Sequence, residues 1–246
     1  MGSELIANKK AAFFTGCFIN YYYPAAAEAM VAVLRNSGVE VIVPEQVCCG
    51  LPMIAKGNVR GARKNIARNA GEFAAALAEG RSIITACSSC TLFLKRHYKL
   101  LGDEQAARVS DSTYHFSEYL LGLHHIGQLN TQFHHLPLTV FYKTPCHLRT
   151  AGIGQSTVEL LKLIPGITIT YVSDVCCGMG GAYGFEKTNR TMALRIGERM
   201  FNELTENPAD RVVTDCGGCK LQIEYGTGST AAHPVILVRE AYGTRA

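Results

Sequence analysis

The feature that most constrains this 246-residue chain is the placement of its ten cysteines. Cys17, the adjacent pair Cys48-Cys49, and Cys87 with Cys90 form one set. Cys146, the pair Cys176-Cys177, and Cys216 with Cys219 form another, and no cysteine is left over. Equivalent positions are offset by 129, 128, 128, 129 and 129 residues, a regularity that duplication produces and scattered thiols do not. The flanks repeat as well. Val47-Cys48-Cys49-Gly50 matches Val175-Cys176-Cys177-Gly178, and Thr85-Ala86-Cys87-Ser88-Ser89-Cys90 matches Thr214-Asp215-Cys216-Gly217-Gly218-Cys219. The chain reads as two copies of one module.

In each copy a short β-prone run leads into each cysteine element. Residue type and length predict strands over 11–15, 39–43 and 82–85, then over 138–142, 167–172 and 211–214. Helical patterns over 25–36, 59–78, 157–163 and 189–204 alternate with them, ended by Gly38, Gly80, Pro165 and Pro208. Strands alternating with helices imply parallel sheets, so the fold class is α/β. Two duplicated, pseudo-symmetric domains are expected, each a small parallel sheet flanked by helices. In such a sheet the loops at the carboxyl ends of the strands gather at one edge, which places the cysteines of each copy together. The polar, His-rich stretch 126–137 is the natural boundary, giving domains at 1–130 and 131–246.

Composition narrows the function classes. Hydrophobic residues make up 48% of the chain and charged residues 18%, as in an ordinary globular protein. The net charge of +4 comes from dispersed Lys and Arg without interleaved aromatics, so no nucleic-acid partner is expected. The longest apolar stretches fall far short of the roughly 20 residues that cross a bilayer, and no secretory signal opens the chain. A cytoplasmic location follows, and in a reducing compartment ten thiols point to metal chemistry rather than to disulfides.

Thiolate is a soft anionic ligand suited to zinc or to iron-sulfur clusters. Structural zinc takes four tetrahedral ligands, usually as two close pairs, so five thiols per set leave one over. Adjacent cysteines fit poorly around one small ion, yet each can reach a different iron of a polynuclear cluster. Disulfides would require vicinal bridges or odd pairing, and ten unreactive core thiols would not explain the matched spacing. The donor count therefore favours iron and sulfide, with zinc as the alternative. Gly50 and Gly178, with Gly217 and Gly218, let backbone approach a bulky group and free N–H groups to donate to sulfur, though plain turn chemistry accounts for them too. Gly178-Met179-Gly180-Gly181-Ala182-Tyr183-Gly184 has only a superficial dinucleotide-loop pattern, with its third glycine one residue late. His147, His233, Tyr21 to Tyr23 and Lys220 lie near the cysteines but are read as structural.

The spacing Cys-x30-Cys-Cys-Gly-x36-Cys-x2-Cys, repeated as Cys-x29-Cys-Cys-Gly-x37-Cys-x2-Cys, resembles the cysteine-rich CCG domain family over nearly the whole chain. That family includes the B and D subunits of heterodisulfide reductase, the C subunit of anaerobic glycerol-3-phosphate dehydrogenase, thiol:fumarate reductase subunits and lactate-utilisation protein A. The stretches Gly16-Cys17-Phe18-Ile19-Asn20-Tyr21, Thr144-Pro145-Cys146-His147, 177–185 and Val213-Thr214-Asp215-Cys216 look most similar to the glycerol-3-phosphate dehydrogenase type. The resemblance implies all ten cysteines as ligands of two 4Fe-4S-type clusters, noncubane in the heterodisulfide reductases. It also implies redox partners: a flavoprotein dehydrogenase, a ferredoxin-type iron-sulfur protein and a membrane quinone-linked subunit, which would hold the chain peripherally at the inner membrane face. The glycerol-3-phosphate dehydrogenase C subunit and the reductase D subunit carry an upstream ferredoxin-like segment with two C-x2-C-x2-C-x3-C runs, and this sequence has none. Electrons would then come from another subunit or from a longer form of the protein, while standalone family members have this length. Two functions follow, an electron-transfer subunit of an anaerobic flavin dehydrogenase complex or, alternatively, a heterodisulfide reductase-type catalytic subunit. Fold kinship alone does not choose between them.

Overall fold

The computed structural model describes residues 2–243. Strands β1 (Lys10–Phe14), β2 (Glu40–Ile42), β3 (Ser82–Thr85) and β4 (Thr113–His115) form a parallel sheet in the order β2-β1-β3-β4. Strands β5 (Leu138–Lys143), β6 (Ile167–Ser173), β7 (Arg211–Val213) and β8 (Ala231–Ala232) repeat it in the order β6-β5-β7-β8. The six predicted strands are present with ends within one residue of expectation. The edge strands β4 and β8 are additions, too short to carry a periodic signal.

Helices cover both faces of these sheets, so the central strands of the first sheet are buried almost throughout rather than alternating. Ala11, Ala12, Phe13 and Phe14 of β1 are all buried, as is every residue of β3. The helix Val59–Ala78 shows how one crossover is specified. Asn58 caps it by accepting a hydrogen bond from the Gly61 N–H at 2.8 Å. Ala62, Ile66, Ala70 and Phe73, spaced three or four apart, form the face that packs on the sheet, where the Phe73 and Phe14 rings lie 5.8 Å apart.

The segment 126–137 joins the sheets without helix or strand, but the two halves share one continuous core that includes Phe13, Met30 and Ile84 as well as Tyr142, Val213 and Leu237. The last helix, Pro234–Ala241, packs on Pro24–Asn36 of the first half, and Ser156–Lys162 packs on Phe116–His125. His233 fixes one of these junctions. Its Nδ1 accepts from the Val235 N–H at 3.2 Å, capping the last helix, so its Nε2 carries the proton and donates to the Ala86 carbonyl at 2.7 Å. Burial pushes this imidazole down to about 4, holding it neutral.

Replacing His233 by Ala removes a cap and a buried hydrogen bond and leaves the Ala86 carbonyl unpaired, an expected loss of roughly 2–4 kcal/mol in urea unfolding. The folded-state pKa of His233 is lowered, so its contribution is complete above the ordinary value of 6.5 and lost as pH falls towards about 4. The stability gap between the native protein and His233→Ala is accordingly expected to narrow over that window.

Candidate metal centres

In a parallel sheet of order 2-1-3-4 the crossovers leave β1 in opposite directions, opening a crevice at the carboxyl ends of β1 and β3. The first cysteine set surrounds that crevice. Cys17 follows β1, the Cys48-Cys49 pair follows β2, and Cys87 and Cys90 follow β3. Cys146 after β5, Cys176-Cys177 after β6, and Cys216 with Cys219 after β7 repeat the arrangement.

Within the first set the thiols form one chain of contacts. Cys48 accepts hydrogen bonds from Cys17 and Cys49, and Cys90 donates to both Cys49 and Cys87. The donated hydrogen bonds push Cys48 far down, assisted by the Gly50 N–H, while Cys17 is raised by donating to Cys48 and by burial. Cys90 is raised well above its ordinary value by the same donor role, and Cys87 is lowered by it. In the second set Cys219 donates to Cys177 and Cys216. Cys216 falls to about 5 through that bond, with further donation from the Cys219 backbone N–H. Cys146 is raised first by burial and then by the charges of Cys216, Cys177 and Cys176. Cys17, Cys146 and Cys176 are exposed, Cys48 and Cys216 half-buried, and the other five buried, so each set has a wet side and a dry side.

Backbone geometry around the thiols is adapted to sulfur. Cys87 and Cys216 cap the helices Ser88–Leu92 and Gly217–Thr227, which contain Cys90 and Cys219, and Cys17 and Cys146 lie in the first turns of Gly16–Tyr22 and Cys146–Thr150. Helix N-termini present unpaired N–H groups and a partial positive charge, which favour thiolates. The Gly178 N–H donates to Cys176 Sγ at 3.4 Å, and Gly50 stands before the helix Leu51–Ala55. Two glycines are sterically compelled. Gly16 has φ +68°, and a Cβ there would lie 2.7 Å from Cys90 Sγ. Gly178 has φ +84°, and a Cβ there would lie 2.0 Å from the Ala193 carbonyl oxygen of the packed helix.

Among the described residues, no three His, Cys, Asp or Glu side chains are grouped around a single metal ion. The thiols are instead spread around the crevice, and backbone N–H groups lie beside Cys48, Cys49, Cys87, Cys176, Cys177 and Cys216. Ten soft donors in two such sets fit sulfide-bridged polynuclear iron, whose irons lie far enough apart to engage adjacent cysteines separately.

Several neighbours of the thiols carry no signal that marks them in the sequence alone. Asp215, fully buried next to Cys216, accepts from the Tyr142 hydroxyl at 2.5 Å and from Thr157 at 2.9 Å, and His115 of the first half lies 3.6 Å away. Burial raises the Asp215 carboxyl to about 7 against those hydrogen bonds. Lys143, 1% exposed, donates to the Thr144 carbonyl at 2.5 Å, and its charge offsets part of the rise at Cys146 and adds to the Cys219 hydrogen bond in lowering Cys177. Only the duplication hints at both, since the first copy has Ala86 and Phe14 at the equivalent places. His147 bonds Ser89 across the halves at 2.9 Å, and Lys220 bonds Glu224 and the Ala231 carbonyl beneath the Tyr23 ring. Tyr21 and Tyr22 are exposed, and Phe18 stacks on Tyr22 at 5.4 Å. Cys87 and Cys216 line one narrow cavity between the halves, together with Phe18, Tyr23, Lys220 and His233.

Known proteins share this cysteine-rich sequence. The chain is 36% identical to the C subunit of the anaerobic glycerol-3-phosphate dehydrogenase of Escherichia coli K12 over 234 residues, covering 94% of this chain and 59% of that protein. It is 33% identical to the B subunit of the fumarate reductase (CoM/CoB) of Methanothermobacter marburgensis, covering 86% of this chain and 41% of the relative. An uncharacterised iron-sulfur protein of Methanococcus maripaludis is 32% identical, with 89% of this chain and 42% of that protein covered. The chain thus spans about 59% or less of the length of these relatives. The model of the cysteine-rich CCG domain matches residues 11–95 and again 140–224, each match running from the first strand of one sheet past the last cysteine of its set. This chain belongs to the CCG cysteine-rich domain family and carries the domain twice.

Proposed function

We propose that the chain holds two iron-sulfur clusters of the 4Fe-4S type, one in each five-cysteine set, and serves as the electron-transfer subunit of an anaerobic flavin dehydrogenase complex. The observation that carries this reading is the pair of complete thiol sets at equivalent sheet edges, each backed by N–H donors and open to solvent on one side. Clusters so held supply one-electron carriers. The protein's own part is to shield one side of each set, to offset thiolate charge with N–H groups and with Lys143, and to bring Cys87 and Cys216 to one shared cavity.

Similarity to the glycerol-3-phosphate dehydrogenase C subunit favours the relay role. Its partners would be a flavoprotein dehydrogenase, a ferredoxin-type iron-sulfur protein and a membrane quinone-linked subunit. No helix among the described residues is long and apolar enough to cross a membrane, so attachment to the inner face of a membrane from the cytoplasm would run through those partners. One observation favours the second reading, a heterodisulfide reductase-type catalytic subunit. Cys87 of one set and Cys216 of the other line the same cavity, which is water-sized and would have to widen for a disulfide to meet both.

Electron paramagnetic resonance of anaerobically purified protein separates these functions. The relay is expected to give the same reduced spectrum with or without an added disulfide, whereas a new disulfide-dependent signal would replace the relay with the reductase. The ligand assignment has its own test. Cys48→Ser and Cys176→Ser are each expected to lose roughly half of the bound iron and to destabilise their own half of the chain, because metal binding and folding are linked. Full iron in both variants would contradict the assignment.

A further inference from the structure

Lys and Arg residues that are dispersed along the sequence converge in space. From Gln46 to Gly71 the chain contains Lys56, Arg60, Arg63, Lys64 and Arg68 and no Asp or Glu, a local charge larger than the chain's whole net charge of +4. Lys56 pairs with Glu186 of the second half. The other four lie on the helix Val59–Ala78, all exposed, with none in an ion pair among the described residues. At 100° per residue, positions 60, 63, 64 and 68 share one face, opposite the buried Ala62, Ile66 and Phe73.

This basic face flanks the first thiol set. Asn65, beside Lys64, donates to the Cys48 carbonyl at 2.9 Å, and Asn69 bonds the Val47 N–H and carbonyl at 2.8 and 3.2 Å. The same helix therefore positions the vicinal cysteine loop and presents the charge. Cys17 is exposed and Cys48 half-buried, so the set is open to solvent. The fold does not demand this charge. The helix Arg190–Glu206 at the equivalent place in the second half mixes signs, pairs Arg199 with Glu203 at 3.5 Å, and exposes Met192 and Ile196.

We infer that the basic face of Val59–Ala78 is the docking surface for an acidic electron-carrier protein, which exchanges electrons with the first cysteine set. The inference rests on the reading that this set holds a redox cluster. One electron leaves the reduced carrier and enters the cluster, and no bond is made or broken. A lipid surface fits less well. Membrane-surface helices insert an apolar side, whereas the apolar side of this helix is packed on the sheet and Val59 is its only exposed large apolar residue. Unpaired exposed cations of one sign beside a redox centre instead steer an oppositely charged protein and raise its association rate by about 10- to 1,000-fold at low salt.

The test is anaerobic stopped-flow reduction of the iron-loaded chain by a reduced acidic 2Fe-2S ferredoxin, with photoreduced 5-deazariboflavin as a neutral donor. The variant reverses all four charges, Arg60→Glu, Arg63→Glu, Lys64→Glu and Arg68→Glu, and its iron content is measured first. With ferredoxin the native rate is expected to fall at least about 10-fold between about 0.05 and about 0.5 M salt, and the variant to be at least about 10-fold slower at the lower salt. Rates with the neutral donor should be equal. An iron-loaded variant that accepts electrons from ferredoxin at the native rate overturns the docking face while leaving the cluster reading intact. Cosedimentation with phosphatidylserine vesicles that is lost in the variant, with the ferredoxin rate unchanged, would reassign the face to a membrane. Absence of iron from the native protein would remove the cluster reading itself, and the docking inference with it.

Discussion

Parallel strands joined by helical crossovers deliver every strand end to the same sheet edge, and the rest of this structure depends on that constraint. Three loops that are distant in sequence, after β1, β2 and β3, must meet at one crevice, and their cysteines meet with them. The helices that follow those loops begin at the same edge. Their unpaired N–H groups consequently point at the thiols, supplying partial positive charge where anionic sulfur gathers. A meander of antiparallel strands with the same cysteine spacing would scatter these groups over two edges. Topology thus creates the site before any particular side chain refines it.

Duplication then makes two such edges, and packing turns them into one molecule. The core is continuous through both halves, and polar contacts at the junction link residues beside one thiol set to residues beside the other. The Ser88 N–H donates to the Asp215 carbonyl, and His233 donates to the Ala86 carbonyl. Each of these joins the residue before one set's fourth thiol to the opposite half. Displacement of either half would therefore shift the loop that carries a thiol of the other. The halves have also diverged chemically. Asp215 and Lys143 stand where the first copy has Ala86 and Phe14, and the basic helix of the first half has a mixed-charge counterpart in the second. If each site holds a cluster, as proposed, these unequal electrostatic surroundings give the two a reason to differ in potential.

Much of this was legible in the sequence because both signals were periodic or repeated. The runs in β1, β3, β5 and β7 are dense in apolar and β-branched residues, and the helix Val59–Ala78 carries its apolar face at regular spacing, so these ends agreed to within a residue. β4 and β8 were not legible, since Thr113-Tyr114-His115 and Ala231-Ala232 are too short for any pattern, and their pairing is imposed by packing. The cysteine sets declared themselves through their offset, while the His115, Asp215, Tyr142 and Thr157 group did not. Its members come from β4, from the loop after β7, from β5 and from a helix, and only the folded chain brings them together. The basic face was hidden for a related reason. Its cations are spaced at helical intervals, so they look dispersed in a linear reading and become contiguous only when wound around the helix axis.

The central claim is that each five-cysteine set holds an iron-sulfur cluster. Iron, zinc and acid-labile sulfide content of the chain purified without oxygen tests it most directly. Iron and sulfide in matched amounts, enough for two clusters of about four irons each and with little zinc, is the expected result. Zinc at about one or two per chain with no sulfide would contradict it, leaving a duplicated fold stapled by single metal ions.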